Sequence, residues 1–383
     1  MKVLYVIDSL GPGGAERSLV EMLPPLERGG VQPTVVCFKR ASVGFESEVR
    51  VNVKHLSGPG RLAKMAQLRR LTAVGRYDLV HTTLFESDVF GRSALAGLGV
   101  PILTSLVNMP PAPGHLRGGA RVRLKHAAAR ALERATGALF ACHFHAITDA
   151  VKEAAVGHLH VPREKITVIY RGRDQQRLGR RTAARREQLR RRIGVPEDAF
   201  VVLSVGRQEP QKGQRVLIEA LSRLLAAVPH ALLLVAGREG NATPDLREAV
   251  ERAGVAAAVR FLGHVDAAPD LLAACDVFAF PSLWEGLGGA IIEAMALEAP
   301  CVASDLPPIR EVTGGGRAAL LVPPGDSGAL AQAIARVHAE PELARRLAGA
   351  GRSTYTERFT LQASVEAMLV LYERLTSEDP RRR

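Results

Sequence analysis

The sequence predicts an α/β protein built from two doubly wound parallel-sheet domains. Three observations carry this expectation. Short apolar runs alternate with segments of helical spacing along the chain, the pattern of a parallel sheet covered by helices on both faces. The 383 residues exceed one ordinary core and suit two domains of roughly 150–200 residues each. Strand-like runs at 2–8, 200–206 and 277–282 each lead into a glycine-containing loop and then a helical pattern.

Residues 2–8 read as a strand ending at a loop with Gly11, Gly13 and Gly14, after which Leu19, Met22, Leu23 and Leu26 recur at helical spacing. A dinucleotide fingerprint would need a glycine where Glu16 stands and an acid near the end of the next strand. Residues 34–38 instead run into Lys39 and Arg40, so the oxidoreductase class fails on both counts. Further strands are expected at 79–83, 102–107, 144–148 and 167–170. Ligands of such sheets sit outside the carboxyl ends of the strands. His81 and Asn108 are candidates there, although a lone histidine is more often structural than catalytic.

Residues 114–136 carry Arg117, Arg121, Arg123, Lys125, Arg130 and Arg134 against the single acid Glu133. Leucine, valine and alanine interleave with them, which makes a basic amphipathic helix. It is either a solvated face or a patch for anionic lipid headgroups. The stretch 171–192 is dense in arginine and poor in large apolar residues, and reads as an exposed connection and a polar helix between domains. A second strand set follows at 200–206, 231–237, 259–263, 277–282, 301–304 and 319–322. The last helical stripe, with Phe359, Val365, Met368, Leu369 and Tyr372, has to be buried somewhere; the first domain is the expected place. The resulting division is 1–174, a basic linker at 175–198, 199–355, and 356–383 as a returning helix with a basic tail.

Composition narrows the function classes. No apolar run reaches the roughly 18 residues of a spanning helix, and the apolar start at 1–7 is too short for a secretory signal. Cys37, Cys142, Cys275 and Cys301 stand far apart without a CxxC pair, as expected of reduced thiols in a cytoplasmic protein. The net charge of +12 favours an anionic partner. With aromatics at 4% and no RNA-binding or zinc-finger motif, a phosphorylated substrate or membrane surface fits better than nucleic acid.

The most informative stretch is 281–296, where a glycine loop separates an expected strand from an expected helix and Glu285 and Glu293 bracket it with seven residues between. A helix mouth of this kind attracts phosphate. Ionised carboxylates repel phosphate and accept hydrogen bonds from hydroxyls. Phosphates flanked by hydroxyl-rich rings describe a nucleotide sugar.

With these pieces in order, the sequence resembles the large retaining glycosyltransferase family 4 of the GT-B fold, over roughly residues 1–375. The most specific motif is E-x7-E at Glu285 and Glu293. It is supported by G-P-G-G-A-E-R at 11–17, G-R-Q-E-P-Q-K-G at 206–213, F-L-G-H at 261–264 and L-L-V-P-P-G-D at 320–326. The resemblance implies two Rossmann-like domains facing a central cleft, with a C-terminal helix packing back on the N-terminal domain. It implies a hexosyltransferase using a UDP- or GDP-type sugar, acting with retention on a hydroxyl acceptor in cell-envelope polysaccharide, lipopolysaccharide or glycolipid synthesis.

By the same resemblance Arg207 and Lys212 hold the donor diphosphate, Glu285 faces the donor sugar and Glu293 the ribose. Gly286, Leu287, Gly288, Gly289 and Ala290 meet phosphate and sugar, and His264 and Val265 lie near the base. Gly13 and Gly14 reach the diphosphate when the domains close. The chain has no Asp-x-Asp motif, which agrees with a metal-independent site and no cofactor. Residues 114–136 would suit a lipid-linked acceptor and peripheral contact with the inner face of the membrane.

The sequence departs from the family where many members carry a histidine, here 104–110 with Asn108. It departs again at Arg171, Gly172, Arg173 and Asp174, in place of an Asn-Gly-Val-Asp turn, and at Leu287 and Gly289 in the donor loop. Two alternatives stand beside this reading: a nucleotide-sugar epimerase of GT-B-like fold, and an inactive sugar-nucleotide-binding homologue.

Overall fold

The computed structural model describes residues 1–109, 120–265 and 267–377. The chain divides into two compact units, one of Met1–Gly172 with Leu361–Arg383 and one of Arg173–Thr360.

The first unit contains β1 (Lys2–Ile7), β2 (Gln32–Cys37), β3 (Asn52–His55), β4 (Leu79–Thr83), β5 (Ile102–Leu106), β6 (His143–Ala146) and β7 (Ile166–Val168). They form one sheet in the order β3-β2-β1-β4-β5-β6-β7, every pair parallel. β4 and β5 are buried along their whole length, so both faces of the sheet carry side chains into packed layers. On one face Leu4, Val6, Val36, Leu68 and Val80 cluster; on the other Val3, Tyr5, Ile7, Leu23 and Leu26 do. The edge strand β3 escapes sequence reading because Asn52, Lys54 and His55 leave Val53 as its one large apolar residue.

Helix Leu361–Ser377 completes the second of these layers with Val365, Met368, Leu371, Tyr372 and Leu375. Its apolar stripe is therefore buried where the sequence places it, on the N-terminal sheet, except for Phe359, which precedes the helix and belongs to the second unit. Ser364 pins its first turn: the hydroxyl donates to Tyr170 O (2.6 Å) and accepts from Gly172 N (2.7 Å). Of the expected basic helix, 114–119 lie outside the described residues, as do 378–383 of the basic tail; the helix is seen over Ala120–Phe140.

The second unit contains β8 (Phe200–Val205), β9 (Ala231–Ala236), β10 (Val259–Gly263), β11 (Val277–Phe280), β12 (Cys301–Ser304) and β13 (Ala319–Val322). The order is β10-β9-β8-β11-β12-β13, again parallel throughout. Val202, Leu217, Ile218, Leu221, Leu233 and Ile334 lie in its core, each at most 2% exposed, and each such side chain gains about 1.5–3 kcal/mol on burial. The chain leaves β8 towards β9 and β10 and returns on the other side as β11. The loops after β8 and β11 therefore part at a crevice outside the carboxyl ends of two adjacent strands, the place where open α/β sheets bind ligands.

The arginine-rich stretch is not an exposed linker. Helix Ala183–Arg192 belongs to the second unit and its guanidinium groups are structural. Arg190 donates to Ala274 O (3.1 Å) and Ala199 O (3.0 Å) and pairs with Asp276. Arg186 donates to Ala274 O (3.0 Å) and to Asp276 (2.5 Å), and Arg185 pairs with Asp270 at 2.8 Å. Ala274 ends helix Ala268–Ala274, whose last carbonyls lack intrahelical donors. Arginine, with five N–H groups in a fork, satisfies them and the two carboxylates together. Apolar periodicity cannot reveal such a contact, because polar groups make it.

Candidate functional site

The loops after β8 and β11 are tied to each other by backbone and side chain. Leu283 N donates to Gln211 O at 2.8 Å, and Gln211 Nε2 donates to Trp284 O at 2.9 Å. Gly213 has φ +61, and a Cβ there would lie 2.0 Å from Pro281 O; the β8 loop closes on the β11 loop only with glycine at this point. Gly288, at φ +86, turns the chain into helix Gly289–Ala296. The first-turn N–H groups of that helix, Gly289 and Ala290 among them, have no intrahelical acceptor and carry the positive dipole end. Gly286 and Leu287 lie in the same loop, with Leu287 buried.

This closure brings charged groups together. Lys212 Nζ stands 2.6 Å from Glu285 Oε1, and Ser282 Oγ donates to the same oxygen at 2.9 Å. The Glu285 carboxylate is 8% exposed and the Lys212 side chain 22%, so the anion is covered while its cation retains an outlet. Arg207 is exposed at the end of β8 and forms no ion pair among the described residues. Glu293, on helix Gly289–Ala296, accepts from Arg173 Nε at 2.8 Å. Behind the loops, Gln208 accepts from Thr243 Oγ1 (2.8 Å) and Gln214 Nε2 donates to Gly206 O (2.9 Å). Both glutamines are 2% exposed and brace the β8 loop from below. His264, exposed, and Val265, half-buried, follow the end of β10. One strand nearer, Gly237 N donates to Gly263 O at 2.7 Å.

Arg173 is the residue that sequence reading missed. Its side chain is 6% exposed, its N–H donates to Phe359 O, and its carbonyl accepts from Tyr355 Oη at 3.0 Å. The signal was present as the departure from the family turn at 171–174, but only the fold shows that the new cation faces Glu293. The arrangement offers two cations, Arg207 and Lys212, a helix mouth and two carboxylates outside neighbouring strand ends. Chemically it is equipped to hold a diphosphate between hydroxyl-bearing groups. No three His, Cys, Asp or Glu side chains among the described residues are grouped as metal ligands.

In the first unit the candidates separate. Gly13 caps the start of helix Gly14–Arg28, where the Glu16 carboxylate folds back to within 2.2 Å of a Cβ placed on Gly13. Asp8, at the end of β1, accepts from Ser87 N and Ser87 Oγ, both at 2.8 Å; burial raises its pKa. His81 is buried and both ring nitrogens are engaged, Nδ1 with Tyr372 Oη and Nε2 with Ser105 Oγ, each at 2.7 Å. It is a core histidine and offers no free nitrogen to an acceptor.

The proton order of this chain follows from its far end. His145 Nε2 must donate to Ile169 O (2.8 Å), so neutral His145 accepts from Ser105 at Nδ1 (2.8 Å). Ser105 then accepts from His81 Nε2, which leaves His81 Nδ1 the acceptor nitrogen, facing Tyr372 Oη. Burial drives the pKa of His81 well down and that of His145 to about 3. Asn108, by contrast, is exposed just past β5.

Two Rossmann-like parallel-sheet units, one with a phosphate-suited crevice at its switch point, define the GT-B class of fold. Comparison with known proteins agrees. The family model described as Glycosyltransferase Family 4 matches 12–177, and that of Glycosyl transferases group 1 matches 185–354. This chain belongs to the GT4-type glycosyltransferases. It is 29% identical to the D-inositol 3-phosphate glycosyltransferase of Geodermatophilus obscurus, over 96% of this chain and 86% of that protein. It is 35% identical to LpsE, a lipopolysaccharide core biosynthesis glycosyltransferase of Rhizobium meliloti, over 48% of this chain. The match spans about half the length of some relatives: 52% of LpsE and 48% of EpsD from Bacillus subtilis. Anabaena HepE, solved in complex with UDP-glucose, superposes with a TM-score of 0.85 at 25% identity, covering 98% of this chain and all of that one.

Proposed function

We propose that this protein transfers a hexosyl group from a nucleoside diphosphate sugar of the UDP type to a hydroxyl acceptor, with retention and without a metal ion. The observation that carries the reading is the meeting of Arg207, Lys212 and the amino end of helix Gly289–Ala296 outside β8 and β11. On this reading the diphosphate lies against these groups, Glu285 receives hydroxyls of the sugar and Glu293 those of the ribose. The UDP-glucose complex of HepE supports the choice of base, as does an Escherichia coli relative named as a UDP-Gal galactosyltransferase.

The Lys212–Glu285 pair gives this reading a mechanism. Glu285 holds the lysine in the crevice, where its remaining N–H groups face the incoming phosphates. As the bond from the anomeric carbon to the phosphate oxygen breaks, charge develops on the diphosphate and the fixed cations stabilise it. The acceptor oxygen bonds to the same face of the sugar, and its proton passes to the departing phosphate oxygen. No protein nucleophile takes part.

Helix Ala120–Phe140 supports an acceptor at a membrane surface. It exposes Leu124 and Leu139 by 71% and 73% alongside the exposed Arg121, Arg123, Lys125 and Arg134, the mixture that anionic lipid surfaces attract. No described helix is long and apolar enough to cross a membrane. We place the protein at the inner face of the cell membrane, in envelope glycan synthesis; co-sedimentation with anionic but not neutral vesicles is the expected result.

The direct test of donor recognition is a thermal-shift panel of nucleotide sugars. A ligand at 100 times its dissociation constant stabilises by about 2.7 kcal/mol. Lys212→Ala and Glu293→Ala should each lose donor turnover; either variant at full turnover sinks the assignment.

A further inference from the structure

Two of the places where the chain departs from the family pattern, Arg173 and Gly289, meet in the second unit. A Cβ built on Gly289 would lie 2.1 Å from Arg173 Nη2, so the guanidinium fills the space that a larger residue would take. Gly289 is helical and has no positive φ, a backbone that any residue adopts, and glycine is among the poorest helix formers. What calls for glycine here is the neighbouring guanidinium.

Arg173 is fixed at both of its ends. Its backbone N–H donates to Phe359 O at 2.9 Å, its carbonyl accepts from Tyr355 Oη at 3.0 Å, and it forms a parallel bridge with Thr360. Tyr355 and Phe359 are each at most 1% exposed. At the other end Nε donates to Glu293 Oε1 at 2.8 Å, and the side chain is 6% exposed.

This placement runs against helix electrostatics. The amino end of helix Gly289–Ala296 is the positive end of its dipole, where a cation is disfavoured. At the carboxyl end Arg352 Nη1 donates to Ala296 O at 2.8 Å, the favoured location. Arg173 is tolerated at the opposite end because Glu293, one turn inside the same helix, answers its charge. The pairing leaves a carboxylate with a set direction. Its other oxygen, Oε2, has no partner among the described residues and keeps contact with solvent, the side chain being 18% exposed.

We propose that Arg173 is a positioning residue of the donor site: its guanidinium, admitted by Gly289, holds the Glu293 carboxylate so that Oε2 receives the ribose hydroxyls of the nucleotide. That Glu293 meets the ribose rests on the function proposed above. A carboxylate held in one direction gives up its freedom before the ligand arrives. It can only accept, so a sugar without hydroxyls leaves it unpaired and is rejected. Selection of ribose over a deoxygenated sugar then depends on Arg173, which need not touch the nucleotide.

The test is calorimetric titration of the full-length chain with UDP and with 2′,3′-dideoxyuridine 5′-diphosphate, the ratio of the two dissociation constants being the readout. A merely structural Arg173 affects both ligands alike and leaves the ratio in place. The wild type should bind UDP at least tenfold more tightly than the dideoxy analogue. Arg173→Met, and Gly289→Ala, which displaces the guanidinium and keeps the backbone N–H, should each bring the ratio below about threefold. The double variant should bind UDP no more weakly than Arg173→Met, since the group through which Gly289→Ala acts is already gone. Tenfold discrimination kept by either single variant, or further weakening in the double variant, overturns the proposal. If Arg173→Met fails to fold, Gly289→Ala decides. A wild type that binds no UDP, or binds both ligands alike, sinks the role read for Glu293 and that of Arg173 with it. Discrimination that the variants keep sinks the role of Arg173 alone.

Discussion

The same position in the two units, the carboxyl ends of the central strands, is used in opposite ways. In the first unit the polar groups there are joined into a closed interior: His81, Ser105, His145 and Tyr372 complete one another's hydrogen bonds, and Asp8 is held by Ser87. In the second unit Lys212 and Arg207 stand at the strand ends with donors left over. A polar residue at a strand end is thus not a ligand-binding residue by position alone. What separates the cases is whether the protein already satisfies it.

Several measurements would break or sharpen this contrast. The largest expected effect is on a structural cation: Arg190→Ala should destabilise the chain by about 3–5 kcal/mol in urea unfolding, because it removes a buried guanidinium that donates to Ala274 O and Ala199 O and shares Asp276 with Arg186, at about 1.5–3 kcal/mol for each charged hydrogen bond. Exposed Arg247, paired with Glu239, is the control, and its alanine variant should change stability by less than about 0.5 kcal/mol. Next, Lys212→Ala should lower kcat by about 100–1000-fold, the loss typical of one fixed group facing developing charge, while the chain stays folded although Glu285 loses its cation. A variant that unfolds instead would make Lys212 a structural cation like Arg190. Glu293→Gln follows, with donor affinity reduced by about 1.5–3 kcal/mol for a charged hydrogen bond, read by titration with UDP-glucose.

Taken per pH unit, the smallest effect concerns the buried histidines. Their pKa values are lowered on folding, so the unfolded chain takes up protons first as pH falls. Their contribution is whole above the unfolded value of about 6.5 and is lost as pH falls towards about 3 for His145, at up to about 1.4 kcal/mol per pH unit for each histidine. His145→Gln should remove one proton from that slope. An unchanged slope would mean that His145 is not held neutral in the fold.

The legible parts of the structure were those written in apolar periodicity. Two doubly wound sheets, the glycine loop between Glu285 and Glu293, and the returning helix with Met368 and Tyr372 could all be read directly, because a strand buried on both faces and an amphipathic helix leave their period in the residues. The polar edge strand β3 left none. The role of the arginines at 185–190 was hidden as well, since a guanidinium reaching Ala274 O or Asp276 has the same composition as one in water.

By itself, then, the sequence determined the fold class, the order of the elements and the pair of acids that bracket the glycine loop after β11. Local propensity and spacing are properties of neighbouring residues, and they suffice for that. Only the tertiary structure decided that Glu285 is paired with Lys212 and Glu293 with Arg173, and that His81 is a core residue. Those facts depend on groups distant in the chain, and a hydrogen bond is decided by where its partner finally stands.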